Sequence, residues 1–235
     1  MPQRSEGSAM VPTSLVQRIA RQALVTFRQP PHAFHDKHQQ LLSLVRQARA
    51  ADLKLLPPGC GSPPCRGTPP VTYMHICETE QFSMGVFLLK SGARIPLHDH
   101  PDMHGVLKVL YGKLRVSCFD SLDRQAAHSR PQVGAMLRSV LRSSAEYTDS
   151  SEPCVLEPDR DNLHQIDAVD GPAAFLDVLA PPYDPDGGRD CHYFRVLQGP
   201  EPREPNGREV WLMEIAQPVS FWCGTEAYLG PEVRL

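Results

Sequence analysis

The sequence predicts a mainly β protein, a single barrel or sandwich of short strands preceded by α-helices. Three observations carry that expectation. Segments that are β-branched or alternate apolar with polar residues recur at 71–77, 82–89, 106–119, 154–156, 164–169, 173–179, 192–197 and 210–215, each bounded by turn residues. Before residue 53, apolar residues repeat instead at helical spacing. A chain of 235 residues, 41% of them hydrophobic, is long enough for one barrel with appendages.

Either Thr13 or Ser14 can cap the first helix, in which Leu15, Val16, Ile19, Ala20, Ala23, Leu24 and Phe27 form one apolar face. That face is expected to pack on the body. A second helix is expected from about Asp36, turning Leu41, Leu44, Val45 and Ala48 inward. Residues 1–52 thus read as a helical segment and 53–70 as a connector, because LPPGCGSPPCRGTPP from Leu56 is too rich in Pro and Gly for regular structure. Cys60 and Cys65 within it lack the second cysteine pair of a zinc knuckle and read as loop residues. The strands fill 71–235, with surface loops expected near 120–136 and 199–206 and no internal repeat.

A formal charge of -3 without a basic block gives no nucleic-acid footprint. No apolar run has the length of a membrane span, and the N-terminus lacks the apolar core of a secretory signal. Seven cysteines at irregular spacings then read as reduced thiols, since an odd number cannot all pair internally. The arginines before residue 29 faintly resemble a mitochondrial presequence, but the amphipathic helix accounts for them more simply. The expectation is a soluble cytoplasmic protein, with a nuclear or mitochondrial fraction left open, and a monomer by default because no heptad seam is present.

His98 and His100 are the first chemical signal. Residues two apart on a strand face the same side, so both imidazoles can point into a barrel while Asp99 points away. Such pairs hold zinc, copper, iron or nickel, although two histidines near a turn can also be merely solvated.

Gly92, His98, His100 and Gly112 resemble the first motif of the cupin superfamily, G-x5-H-x-H-x3,4-E-x6-G, whose fold is a double-stranded β-helix or jelly-roll barrel. The departure is at the acid: Gly105 or His104, depending on the gap, stands at the glutamate position. In cupins a further ligand comes from a second motif some fifty to seventy residues on, and His164 is the one histidine in that window. His75 and His192 on expected strands, and His32, His35, His38 and His128 elsewhere, lack motif context; His104 remains open as a residue near the site or a loop residue. Three neutral imidazoles leave a bound dication its full charge, which favours an anionic ligand such as a thiolate.

Longer segments narrow the resemblance. PVTYMHI from Pro70, GVFLLKSG from Gly85, IPLHDHP from Ile95, KVLYG from Lys108, RDNLHQIDAV from Arg160, FLDVLAPPYDP from Phe175 and RDCHY from Arg189 resemble the thiol dioxygenase family of the cupin superfamily. LVQRIARQA from Leu15 and REVWL from Arg208 extend the likeness over nearly the whole chain. The resemblance implies an Fe(II) enzyme, held by His98, His100 and His164, that adds O2 to cysteamine to give hypotaurine. It also implies action on proteins or peptides with an N-terminal cysteine, giving a sulfinate that feeds the arginine N-degron pathway as an oxygen sensor. Asp177 would orient the substrate amine, or is a satisfied structural acid at a strand edge. Cys191 and Tyr193, two apart on an expected strand, would form a thioether crosslink tuning activity, or are a buried thiol beside a packed ring. Tyr183 would line the substrate entrance, or packs on the barrel rim. A zinc-binding hydrolytic cupin and a non-catalytic binding module remain as alternatives.

Overall fold

The computed structural model describes residues 13–57, 67–122, 133–197 and 208–235; Cys60, Cys65, His128 and the patch at 199–206 lie outside them, as does part of the loop at 120–136. Helix α1 (Leu15–Phe27) begins where expected, the Ser14 hydroxyl accepting from the Gln17 amide at 3.2 Å. Helix α2 (Pro31–Val45) starts five residues earlier than the sequence suggests. Pro31 takes the first helical position, where its missing N–H is no loss, but no side chain caps this end and no apolar period marks it. A 3-10 turn, Ala50–Leu53, follows and ends at Lys54 with φ 55°.

Among the described residues twelve strands follow: β1 (Val71–Glu78), β2 (Ser83–Leu89), β3 (Arg94–His98), β4 (His104–Tyr111), β5 (Lys113–Ser121), β6 (Met136–Thr148), β7 (Cys154–Leu156), β8 (Leu163–Ala168), β9 (Ala173–Ala180), β10 (Tyr193–Val196), β11 (Arg208–Ile215) and β12 (Cys223–Glu226). One sheet runs β12-β1-β2-β9-β4-β7 and the other, β10-β11-β6-β5-β8-β3, closes on itself. The single strand expected at 106–119 is two strands broken at Gly112. Its φ is 75°, and a Cβ there would lie 2.3 Å from the Pro172 carbonyl oxygen, so only glycine fits the turn. Strands β6 and β12 are additions to the expected set, whereas β3 is the strand on which the sequence places His98, ending there and not reaching His100.

The open sheet is apolar on both faces, as a strand layer between two others must be. Val86, Val106, Ala174, Leu176 and Val178 pack outward against Val16, Ile19, Ala20, Ala23, Leu41 and Val45 of the helices. Leu107, Val109, Ala173 and Phe175 point inward and meet Ile95, Leu114, Val116, Ile166 and Ala168 of the second sheet. A smaller cluster of Leu97, Phe119, Leu163, Phe194 and Leu212 fills the fold of the closed sheet. Gln17 of α1 exchanges two hydrogen bonds with the Arg234 backbone, at 2.8 and 3.0 Å, which ties the chain's tail to its first helix. Among the described residues no helix is long and apolar enough to cross a membrane, and Cys77, Cys118, Cys154, Cys191 and Cys223 are unpaired thiols.

Candidate metal centre

Antiparallel register builds the centre. His98 on β3 pairs with His164 on β8, His164 with Cys118 on β5, and His98 with Tyr193 on β10. Directly opposed residues project from the same face of a sheet, so these four side chains share the barrel interior. His100 lies two residues beyond the end of β3, so its placement does not come from the strand pleat that the sequence suggests. Asn162 places it instead. Its Oδ1 accepts from the His100 amide at 3.0 Å, and its Nδ2 donates to the carbonyls of His100 at 2.7 Å and Glu157 at 3.0 Å.

The result brings together all three histidines that the sequence nominates. Ring centroids of His98, His100 and His164 lie 4.7 to 4.8 Å apart, and their ligand-capable nitrogens fall within 4.8 Å of one another. Nδ1 of His98 donates to the Pro96 carbonyl at 2.8 Å and Nδ1 of His100 to the Asn162 carbonyl at 3.3 Å, leaving Nε2 of each ring as the available lone pair. Nδ1 of His164 is buried without a partner. Burial lowers the pKa of all three rings, and mutual repulsion lowers His100 and His164 further, so each is held in the neutral form that binds metals. No acid joins the group, in keeping with Gly105 or His104 at the glutamate position.

Asp99 faces away as expected, and it has a task there. Its carboxylate accepts from the His192 amide at 2.8 Å and from His192 Nδ1 at 3.1 Å, while its own amide donates to the His192 carbonyl at 3.2 Å. The Tyr183 hydroxyl donates to the Asp99 carbonyl at 2.8 Å. The residue between two candidate ligands therefore anchors both the Tyr183 loop and the start of β10. Its bond to His192 raises that imidazole's pKa.

Tyr183 lies with its ring 5.6 Å from His100, and Tyr193 with its ring 6.4 Å from His98. Cys191 sits between the two phenols and interacts with both. Burial and the nearby Asp99 push its thiol up to about 12, so it is a neutral thiol. Cys191 precedes β10 instead of lying on it, and the shared partners, not the strand pleat, bring it to Tyr193.

Asp177 occupies the middle of β9, opposite Gly85 of β2 and Leu107 of β4, and not a strand edge. It shares the inward face with Ala173 and Phe175. Enclosure in the barrel raises its carboxyl pKa to about 7, opposed by a hydrogen bond from the Val178 amide. It has no ion-pair partner among the described residues. Tyr73 lies over Gly85 beside it, where a Cβ would sit 2.3 Å from the ring. Of the competing histidines, His104 opens β4 and packs on Phe34 and His38 at ring distances of 4.7 and 6.4 Å, away from the centre, and His75 is exposed on β1. Asn162, Asp99 and His192 went unnominated by the sequence because their roles depend on backbone partners far away in the chain.

Comparison with known proteins agrees with this geometry. The family model PCO_ADO matches residues 44–233. A 2-aminoethanethiol dioxygenase of Mus musculus is 56% identical over 247 residues, covering 94% of this chain and 96% of that one. The Homo sapiens protein of the same name is 51% identical, covering 94% of this chain and 97% of its own. Plant cysteine oxidase 1 of Arabidopsis thaliana is 34% identical, covering 68% of this chain and 55% of that one.

Proposed function

The chain belongs to the PCO_ADO family of cupin thiol dioxygenases, and on that premise we propose that His98, His100 and His164 hold iron(II) for oxidation of cysteamine and of N-terminal cysteines of proteins. The enzyme is a dioxygenase that adds both atoms of O2 to a thiol sulfur. One observation carries the substrate reading: a centre of three imidazoles without an acid, enclosed in the same barrel as the unpaired carboxyl of Asp177.

The donor set fits the metal. Three neutral imidazoles suit a divalent transition ion, and the orphaned Nδ1 of His164 shows a buried ring whose lone-pair chemistry the protein alone does not complete. Bound there, iron(II) supplies the redox chemistry that lets a thiolate and dioxygen combine. The overall reaction is RSH + O2 giving RSO2H, a sulfinic acid, hypotaurine when R is aminoethyl.

The chain's own residues select the substrate. Cysteamine and an N-terminal cysteine share a 2-aminoethanethiol unit, an amine two carbons from the sulfur. Asp177 accepts the ammonium, whose positive charge draws the carboxyl towards its ionised form. Tyr183 closes over His100, and Tyr193 over His98, so that the sulfur is enclosed and water excluded. Cys191 and Tyr193 form a thioether on oxidation, tuning the site without creating its activity. Residues 71–235 form the catalytic domain, 53–70 its connector and 1–52 the helical segment packed on it.

Oxidation of a protein's N-terminal cysteine creates an arginine-dependent degradation signal in the cytoplasm, which makes the enzyme an oxygen sensor. The test is mass spectrometry of cysteamine and of a Cys-initiated peptide incubated with enzyme, iron and labelled O2. Two labelled oxygens on sulfur are expected in both products. Failure to consume oxygen with either thiol would sink the proposal.

A further inference from the structure

A second sulfur chemistry lies behind the histidines. Cys118 on β5 is the cross-strand partner of His164, and Cys154 on β7 is the partner of Leu107, which itself pairs with Asp177. The two cysteines therefore project inward from opposing sheets and pack in one cluster. There the two thiols are neighbours, and Tyr147 of β6 packs in the same cluster. Cys118 is 3% exposed, whereas Cys154 keeps some accessible surface. Of the other described cysteines, Cys191 lies between the two phenols and Cys223 donates to the Gly224 carbonyl at 3.4 Å. Neither Cys118 nor Cys154 has a part in thiol dioxygenation as proposed above.

We propose that Cys118 and Cys154 are a peroxide-sensitive dithiol, which hydrogen peroxide converts to a disulfide joining β5 to β7 across the barrel. Cys154 is the attacking sulfur. It keeps accessible surface, whereas Cys118 is enclosed in the core behind it. The Cys154 thiolate attacks peroxide, forming an S–O bond as the O–O bond breaks and hydroxide leaves. The Cys118 sulfur then attacks the sulfenic acid, the S–S bond forms, and the hydroxyl departs with the thiol proton as water. Two thiols and one peroxide thus give one disulfide and two waters, two electrons passing from sulfur to peroxide. The small size of peroxide suits a pair reached only through the accessible side of Cys154. A link in the row that includes His164 alters the seat of that histidine, so turnover is expected to fall as it forms.

The test treats the full-length, iron-loaded enzyme with hydrogen peroxide, quenches with catalase, and maps peptides without reductant. Expected is a peptide pair joined through Cys118 and Cys154, an intact mass lower by two hydrogens, and reversal by dithiothreitol, which a thioether would resist. In Cys118→Ala the oxidised Cys154 is instead captured by dimedone, and in Cys154→Ala neither product appears. Should peroxide oxidise Cys191 or Cys223 while Cys118 and Cys154 remain fully alkylatable after unfolding, or should the link join other cysteines, the proposal is overturned. Unchanged turnover in fully linked protein overturns its regulatory effect. Disulfide mapping needs no thiol substrate, so its outcome is separate from that of the dioxygenase reading.

Discussion

Asp177 shows what a single side chain can reveal about substrate. An acid with a folded pKa of about 7, against an ordinary 3.8, binds its proton more tightly in the folded state, so stability falls as pH rises between those values. Asp177→Asn is therefore expected to stabilise the metal-free protein at pH 8 and to leave stability unchanged below pH 3.8, as urea unfolding will measure. A less stable variant at pH 8 would mean that the carboxylate is satisfied and structural. The same change should lower kcat/KM for cysteamine roughly 10- to 100-fold, the value of a charge-assisted hydrogen bond. Cys191→Ala tests the neighbouring pair. Wild-type enzyme after turnover should lose two hydrogens in a form resistant to reductant, whereas the variant should not, yet should retain slower turnover. At this scale the sequence was a good guide to chemistry and a poor guide to neighbours. His98 and His100 stand out by spacing and His164 by its distance from them, but nothing in the sequence brings Cys118 and Cys154 together, because they lie on strands of different sheets.

Elements position these groups through their ends more than their middles. His100, Asn162, Tyr183, Cys191 and His192 all lie just outside strands; Asp99 bonds to Tyr183 and His192, and Asn162 to His100. The His192 imidazole gains its partner Asp99 on folding, so its pKa rises. Its contribution is fully present below the ordinary 6.5 and is lost as pH climbs through the folded value. His192→Ala should then destabilise the protein by about 1.5 to 3 kcal/mol at pH 6, the worth of a hydrogen bond to a charged group. The deficit should shrink at pH 9. A deficit independent of pH would assign His192 a packing role alone. Pattern reading found most strands because their inward and outward faces are both apolar or alternate cleanly. It missed β6, whose exposed Arg, Ser and Glu residues carry no apolar stripe, because that strand is held by pairing with β5 and β11. It fused β4 with β5 because apolar residues continue on both sides of Gly112.

For the molecule as a whole, the helices and the metal centre stabilise different parts. Helices α1 and α2 cover the outer face of the open sheet, whereas His98, His100 and His164 all belong to the closed sheet or its immediate flank. The barrel core between the sheets is complete in hydrocarbon without any ion, so the apo protein is expected to fold. A metal that binds only the folded state then adds stability by mass action, about 2.7 kcal/mol at a free concentration one hundred times its Kd. Thermal unfolding should accordingly shift upward when cobalt(II) or iron(II) is added anaerobically to chelator-treated protein, and the shift should grow with metal concentration. His164→Ala deletes a ligand from β8 but no part of the helix interface, so the variant should fold with both helices intact and show little of the shift. A full shift in that variant would mean that the ion binds elsewhere. An apo protein without a cooperative transition would mean that the ion is part of the fold itself, and that the barrel core is weaker than its buried apolar residues imply.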